Sequence, residues 1–262
     1  MSDKPENKQS VASGADARRT ARSDRDSTNG TARERALANA ADESRSSFGL
    51  PDNLRPTLAA THGSPTVKRL FDLVAVLAGL WLIWPLLLAI ALWVKLDSPG
   101  PVFFRQVRVG RGGQLFRIHK FRTMQINAEA AGQLTVGADA RVTRAGRLLR
   151  KTKLDELPQL LDVLFGDMSL VGPRPEVPKY VALYPARVRE IVLSVRPGIT
   201  DWASIRMIDE NELLGKAADA EKMYVESILP QKLDYYVQYA RSYTLWGDVQ
   251  IILATLLKIV SR

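Results

Sequence analysis

Asp155 and Glu156, adjacent carboxylates in the run Lys153-Leu154-Asp155-Glu156-Leu157-Pro158-Gln159-Leu160, are the residues best placed to do chemistry. Pro158 puts them near a helix start, because proline is tolerated in a first turn, where backbone N–H groups have no helical acceptor. Asp155 as a helix N-cap is the plain structural reading. A helix N-terminus is also a natural phosphate site, where two carboxylates could hold magnesium while one of them attacks phosphorus once the cation has neutralised its charge. Further along, Gly172-Pro173-Arg174-Pro175 sets an arginine between two prolines. Its stiff backbone would present a planar guanidinium suited to two-point recognition of phosphate oxygens, unless this is simply a proline-rich surface turn. Arg196-Pro197-Gly198-Ile199-Thr200 supplies another turn.

Composition narrows the chemistry. With no cysteine and only His62 and His119, the chain has no disulfide, thiol nucleophile, thiolate metal site or histidine-rich centre. Oxygen ligands remain, and with them a hard cation such as Mg2+. The formal net charge is +9, yet residues 1–65 hold ten Lys and Arg against nine Asp and Glu, so the excess lies further on. A basic domain of this kind faces anionic lipid headgroups, phosphorylated substrates or nucleic acid. Residues 1–65 have Phe48 as their only aromatic and too little apolar surface to offset chain entropy, so a disordered polar tail is expected there.

The elements that must position these groups begin with an apolar segment. Leu73–Val94 is 22 residues without a charge. As a helix it would run about 33 Å, enough for a hydrocarbon core of about 30 Å. Pro85 sits in its middle and leaves the Trp81 carbonyl without a helical partner, so a bend is expected. Lys68 and Arg69 precede the segment, and Lys95, Arg105, Arg108 and Arg111 follow it. Positive charge marks the cytoplasmic side, so both ends favour the same side. A simple span and a re-entrant helix bent at Pro85 both remain open on the residues alone. No secretory signal pattern is apparent, so the part beyond the segment is expected in the cytoplasm.

After the turn signal Asp97-Ser98-Pro99-Gly100-Pro101, the runs Val102–Val109 and Gln114–Phe121 flank Gly110-Arg111-Gly112-Gly113 and predict a β-hairpin. Lys120 and Arg122 then share one face, as a solvated edge or a phosphate contact. Arg141, Arg144, Arg147 and Arg150 form a stripe on a helical segment, either solvated or turned to anions. Helices are predicted at about Glu156–Phe165, Pro178–Ser194, Glu212–Ile228 and Gly247–Val260. The last is too short to span a bilayer and suits packing or an interface.

Taken in order, six phrases resemble the bacterial sugar transferases, the monotopic phosphoglycosyl transferases. They are Lys68-Arg69-Leu70-Phe71-Asp72, Ser98-Pro99-Gly100-Pro101-Val102-Phe103-Phe104-Arg105-Gln106, Lys120-Phe121-Arg122-Thr123-Met124, Leu154 to Leu160, Gly166 to Pro175, and Arg196 to Thr200. The resemblance covers residues 66–262. It implies transfer of a sugar-1-phosphate from a nucleotide diphosphate sugar, most often a UDP-sugar, to polyprenyl phosphate, with release of nucleoside monophosphate. It further implies Asp155 as the nucleophile forming an aspartyl phospho-sugar, and Glu156 assisting through Mg2+ or the acceptor's proton. Lys120, Arg150 and Arg174 would hold phosphates, and the apolar helix would be re-entrant with its break at Pro85. Three departures stand out: Trp84 where serine is frequent, Asp201-Trp202-Ala203-Ser204 where Gly, an apolar residue, Ala and Gln are common, and Asp162 in place of asparagine, expected to have little effect.

The resulting expectation is a mainly helical α+β protein, monotopic in the bacterial inner membrane. Its parts are a disordered polar tail (1–65), a re-entrant membrane helix (66–97) and a compact cytoplasmic catalytic domain with one β-hairpin and interfacial helices (98–262). Its partners would be a nucleotide diphosphate sugar, polyprenyl phosphate and inner-membrane lipids, without nucleic acid, in the initiation of surface glycan synthesis. The alternative class is a non-catalytic basic adaptor at the membrane surface, which accounts for the charge but leaves the acidic pair unexplained.

Overall fold

The computed structural model describes residues 63–126, 128 and 139–261, all within one unit, Pro56–Arg262. The expectation for the tail therefore lies, except for residues 63–65, outside the described residues. Helix α1 spans Pro65–Asp97, opens on Pro65 in its first turn and runs on through Pro85. Its buried residues are Asp72, Val76, Ile90 and Val94. Around the middle, Trp81 is 79 % exposed and Leu82 72 % exposed. Among the described residues it is the one helix whose length and composition would let it cross a membrane.

The hairpin forms as the sequence predicts. β1 (Phe103–Val109) and β2 (Leu115–Phe121) pair antiparallel, from Phe103 opposite Phe121 to Val109 opposite Leu115. Gly112 and Gly113 turn the chain at φ 67° and 81°, conformations that side chains resist. Helix α2 (Arg144–Thr152) starts on Thr143, whose Oγ1 accepts the Gly146 N–H at 3.0 Å. It stops at Lys153, held left-handed at φ 59°. A 3-10 turn, Leu154–Glu156, then precedes α3 (Gln159–Phe165), so the helix predicted from Glu156 begins three residues later.

A second sheet goes beyond the sequence expectation. β3 (Ser169–Val171) and β4 (Gly198–Thr200) pair in parallel, with Ser169 opposite Gly198 and Val171 opposite Thr200. Strands of three residues are too short to show an alternating pattern. Here glycine is required by contact: a Cβ on Gly198 would lie 2.1 Å from the Gly172 nitrogen.

Two predicted helices are broken. Pro178–Ser194 divides into α4 (Pro178–Val181) and α5 (Ala186–Val192), because Pro185 lacks a helical donor, disfavours the α region in the residue before it and is itself non-helical at ψ 138°. Following α6 (Trp202–Arg206), the predicted Glu212–Ile228 helix divides into α7 (Glu210–Lys216), α8 (Ala220–Met223) and a π-helical turn at Tyr224–Ile228. Ala217 is extended between them, and Asp219 restarts the helix by accepting the Lys222 N–H at 2.9 Å. Helix α9 (Leu229–Ser242) lies outside the predicted set, although Leu229, Leu233, Tyr236, Val237 and Ala240 are buried at helical spacing; Pro230 sits harmlessly in its first turn. Helix α10 spans Leu245–Val260.

Both ends of α1 are tied to this domain. Near its start, Arg69 donates to the carbonyls of Val163 (2.6 Å) and Leu164 (3.2 Å), satisfying the end of α3. Lys68 pairs with the buried Asp248 of α10 at 2.7 Å, and Asp72 accepts the Ser169 hydroxyl at 2.8 Å. At its other end, Asp97 accepts the Ala145 N–H at 3.0 Å. Arg122 donates to the carbonyls of Val94, Ser98 and Pro99. It is buried, so it is neither a solvated edge nor a phosphate contact but a cap for the α1 C-terminus. Between the ties, Val76 packs with Ile118, Val163 and Met168, while Ile90 and Val94 pack with Phe121 and Leu149. The two arms of α1 thus reach residues only three apart on β2.

Candidate active site

Lys120, Arg150, Asp155, Glu156 and Arg174, five residues from three separated parts of the sequence, line one cleft of about 380 Å³. The left-handed Lys153 is what delivers the carboxylates to it, by ending α2 and redirecting the chain into the 3-10 turn. Arg174 arrives on the loop after β3. That loop is pinned to β4, where the Gly198 N–H donates to the Pro173 carbonyl at 2.9 Å and the Gly172 N–H to the Thr200 carbonyl at 3.1 Å. The phrase Pro197-Gly198-Ile199-Thr200 is therefore the surface on which the arginine loop is mounted.

Glu156 is the hub of the charges. Arg174 grips it with both ω nitrogens, Nη1 to Oε2 at 3.1 Å and Nη2 to Oε1, and Lys120 Nζ donates to Oε1 at 2.8 Å. Burial opposes its charge, but Arg174 and then Lys120 outweigh that and hold the Glu156 carboxyl well below the usual carboxylate range. The attraction works both ways for Arg174, whose pKa is raised by Glu156. Lys120 is pulled down by burial, only partly offset by Glu156.

Asp155 has the opposite environment. It is 8 % exposed, and its Oδ1 has no hydrogen-bond partner among the described residues. Burial, then the neighbouring Glu156, pushes its pKa up, against the pull of Lys120, Lys153 and Arg150. It is not the N-cap of the plain reading, because no side chain caps either the 3-10 turn or α3. Two adjacent carboxylates therefore differ in kind: one is neutralised by a fixed clamp, and the other is buried with an oxygen to spare. Opposed environments of this sort are how a site assigns different roles to like groups.

The arginine stripe divides. Arg141 pairs with Asp139 before α2 begins, and Arg144 and Arg147 are exposed. Arg150 alone reaches the cleft, where its Nε donates to Thr123 Oγ1 at 2.8 Å. Four further cations line the cleft that the motifs do not point to, one of them Lys258 of α10. Arg108 comes from β1, Lys153 from the left-handed turn, and Lys232 from α9, paired at 2.8 Å with Glu210. Strand alternation could have signalled Arg108, which lies two residues from Gln106 and donates to the Pro175 carbonyl at 3.0 Å. Pro85 lies in α1, away from the cleft lining.

For Mg2+, the donor chemistry fits only in part. No cluster of three or more His, Cys, Asp or Glu exists among the described residues, and the Glu156 oxygens already hold Arg174 and Lys120. Asp155 has the free oxygen, and a cation beside it would offset the burial of its charge. Magnesium commonly takes one or two carboxylates and completes its shell with substrate phosphates and water. Asp155 with a diphosphate meets that description.

The departures also have structural accounts. Asp201 is buried and caps α6, accepting the Ser204 N–H at 2.9 Å and the Ser204 hydroxyl at 2.7 Å, while Ser204 lines the cleft. Asp162 is fully buried and accepts both the backbone N–H of His119, at 2.8 Å, and its ring Nδ1, at 2.5 Å. Asparagine could fill the same place, its carbonyl oxygen accepting the backbone N–H and its amide N–H donating to Nδ1 in the ring's other tautomer. Trp84 is exposed on α1.

Relatives of known description share this region. The chain is 41 % identical over 198 residues to the UDP-N-acetylgalactosamine-undecaprenyl-phosphate N-acetylgalactosaminephosphotransferase of Aeromonas hydrophila, a match covering 74 % of this chain and 44 % of that protein. It is 38 % identical over 199 residues to the UDP-glucose:undecaprenyl-phosphate glucose-1-phosphate transferase of Xanthomonas campestris pv. campestris, covering 74 % and 39 %. A protein of the same description from Caulobacter vibrioides is 43 % identical over 192 residues, covering 72 % and 67 %. The chain thus spans less than half the length of the first two. The profile of the family described as bacterial sugar transferase matches residues 63–262, the region that holds both α1 and the charged cleft, and the chain belongs to that family.

Proposed function

We propose that this chain transfers a sugar-1-phosphate from a UDP-sugar to polyprenyl phosphate at the cytoplasmic face of the inner membrane, through a covalent aspartyl phospho-sugar, and so initiates a surface glycan. The observation that carries the reading is Asp155: a buried carboxylate with an oxygen unpartnered among the described residues, set in a cleft of cations beside a clamped Glu156. The adaptor alternative gives that costly arrangement no purpose.

In the first half-reaction, an Asp155 oxygen attacks the phosphorus that bears the sugar. The new bond is Oδ–P; the bond broken joins that phosphorus to the bridging oxygen, which leaves with the nucleoside monophosphate. In the second, an oxygen of polyprenyl phosphate attacks the same phosphorus, the Oδ–P bond breaks, and the Asp155 carboxylate is restored. Arg150 and Lys153 line the cleft beside Asp155 and would receive phosphate oxygens. Bound Mg2+ would supply charge neutralisation between Asp155 and the diphosphate.

Glu156 takes a positioning role in this scheme. A carboxylate held well below its usual range is a poor proton acceptor, so it serves by fixing Arg174 and Lys120 and balancing their charge. The re-entrant topology is supported by the ties at both ends of α1 and by the two arms converging on β2, with an exposed apolar middle. The test is incubation of membranes containing the protein with polyprenyl phosphate and a panel of nucleotide sugars, UDP-glucose and UDP-N-acetylgalactosamine first. Release of nucleoside monophosphate dependent on Asp155 is expected; none with any sugar would overturn the activity.

A further inference from the structure

Helix α10 has two faces of different chemistry, and one of them lines the cleft. On the inner face, Ile251 is buried, the Thr255 hydroxyl meets that of Thr200 at 2.7 Å, and Thr255, Lys258 and Ile259 line the cleft. On the outer face, Trp246, Leu253, Leu256, Leu257 and Val260 are exposed, Leu257 at 71 % and Val260 at 86 %. The spacing of four and then three residues from Leu253 through Leu257 to Val260 makes this an apolar stripe along the helix. The helix is held in place from its other end, where Asp248 pairs with Lys68 and accepts the Tyr239 hydroxyl at 2.9 Å.

Three of the cleft's other cations are already engaged by carboxylates. Glu156 engages Lys120 and Arg174, and Glu210 engages Lys232. Lys258 lines the cleft from its own element; it is exposed and follows Leu257 of the apolar stripe directly in the chain. A ligand that satisfies both features needs an anionic head and a long apolar tail. A nucleotide sugar has no apolar tail to place on the stripe, whereas a polyprenyl phosphate has both parts.

We infer that Lys258 and the outer stripe of α10 form the docking subsite for the lipid acceptor: the Lys258 ammonium receives the phosphate monoester, and the tail lies along Leu253, Leu257 and Val260. The inference rests on the proposed reaction and adds to it the place from which the second substrate approaches Asp155. A single ammonium is a point charge, suited to a phosphate that must leave again as part of the product.

The test uses the full chain in detergent micelles, with initial rates measured against undecaprenyl phosphate and against the UDP-sugar separately. Lys258→Glu should raise the KM for undecaprenyl phosphate on the order of tenfold, with the KM for the UDP-sugar unmoved, and Lys258→Arg should restore the wild-type value. Leu257→Asn should raise the KM for undecaprenyl phosphate but leave that for a water-soluble isoprenyl phosphate of a few units unchanged, separating tail from head. An unchanged acceptor KM in Lys258→Glu, or a rise in the donor KM instead, would overturn the inference while leaving the reaction intact. If the acceptor KM holds and only binding to anionic vesicles is lost, Lys258 serves bilayer headgroups and the inference also fails. A wild-type chain that makes no product from any nucleotide sugar would instead remove the reaction, and the acceptor site with it.

Discussion

Arg174 holds both carboxylate oxygens of Glu156, and the carboxylate next to it in the chain, Asp155, keeps an oxygen without a hydrogen-bond partner among the described residues. The guanidinium comes from a loop stiffened by Pro173 and Pro175 and bonded to β4, so the clamp is set by the fold and not by substrate. The asymmetry between the two acids follows directly, and most of what can be tested in this cleft depends on it.

Arg174→Lys keeps a positive charge but removes the planar pair of donors that reaches both Glu156 oxygens. Turnover should fall at least about tenfold, equivalent to about 1.4 kcal/mol in the barrier. Steady-state kcat measures it. A near-normal kcat would mean that the clamp supplies charge only.

Glu156→Gln should shift a pH profile as well as slow the reaction. Burial and then Glu156 hold the Asp155 pKa up, so the acid limb of nucleophilic attack should lie above the ordinary aspartate range. The amide removes one of those two causes and frees Arg174 and Lys120 to favour the Asp155 anion. The limb should therefore move to lower pH while the plateau falls. A limb that stays in place would show that the two acids are not coupled.

Asp155→Asn should abolish product and yet stabilise the fold. Raising a folded-state carboxylate pKa above its unfolded value means that stability is greatest below the unfolded pKa and is lost as pH rises through the folded one. An uncompensated buried carboxylate costs about 1–3 kcal/mol or more, and Asn removes its charge. In a protein of this size, melting temperature changes by about 2–4 °C per kcal/mol. Calorimetry should show a higher Tm for the variant at neutral pH, with the gap closing as the wild-type Asp155 protonates. An unchanged or lower Tm would mean that Asp155 is well compensated.

Topology is open to the same kind of trial. Because the chain has no cysteine, Ser47→Cys and Ser227→Cys supply single labels on either side of α1. Neither should react with an impermeant reagent outside intact spheroplasts, and both should react after permeabilisation. Labelling of the Ser47→Cys variant from outside would replace the re-entrant helix with a span.

What the sequence reveals, and what it hides, follows the range of the interactions. The hairpin is legible because its strands alternate around a glycine turn, and the cleft residues because their types and local motifs are unusual. The β3–β4 pair is hidden: each strand is three residues, and their pairing depends on two glycine backbones meeting from distant positions. Arg122 resembles its neighbour Lys120 in sequence, but the strand ends at Phe121 and sends Arg122 to the end of α1. Glu156 reads as half of a metal pair, because nothing local indicates that Arg174 folds back onto it. Lys232 reaches the cleft from α9 through tertiary packing alone, whereas Arg108 follows the alternation of β1.

The most direct test is the intact mass of the protein after mixing with Mg2+ and UDP-sugar in the absence of acceptor. The account predicts a mass increase of one phospho-sugar with release of nucleoside monophosphate, lost in Asp155→Asn and discharged on adding polyprenyl phosphate. Normal product formation with no trappable adduct, and kinetics that require both substrates bound together, would contradict it and make Asp155 a magnesium ligand in a direct transfer.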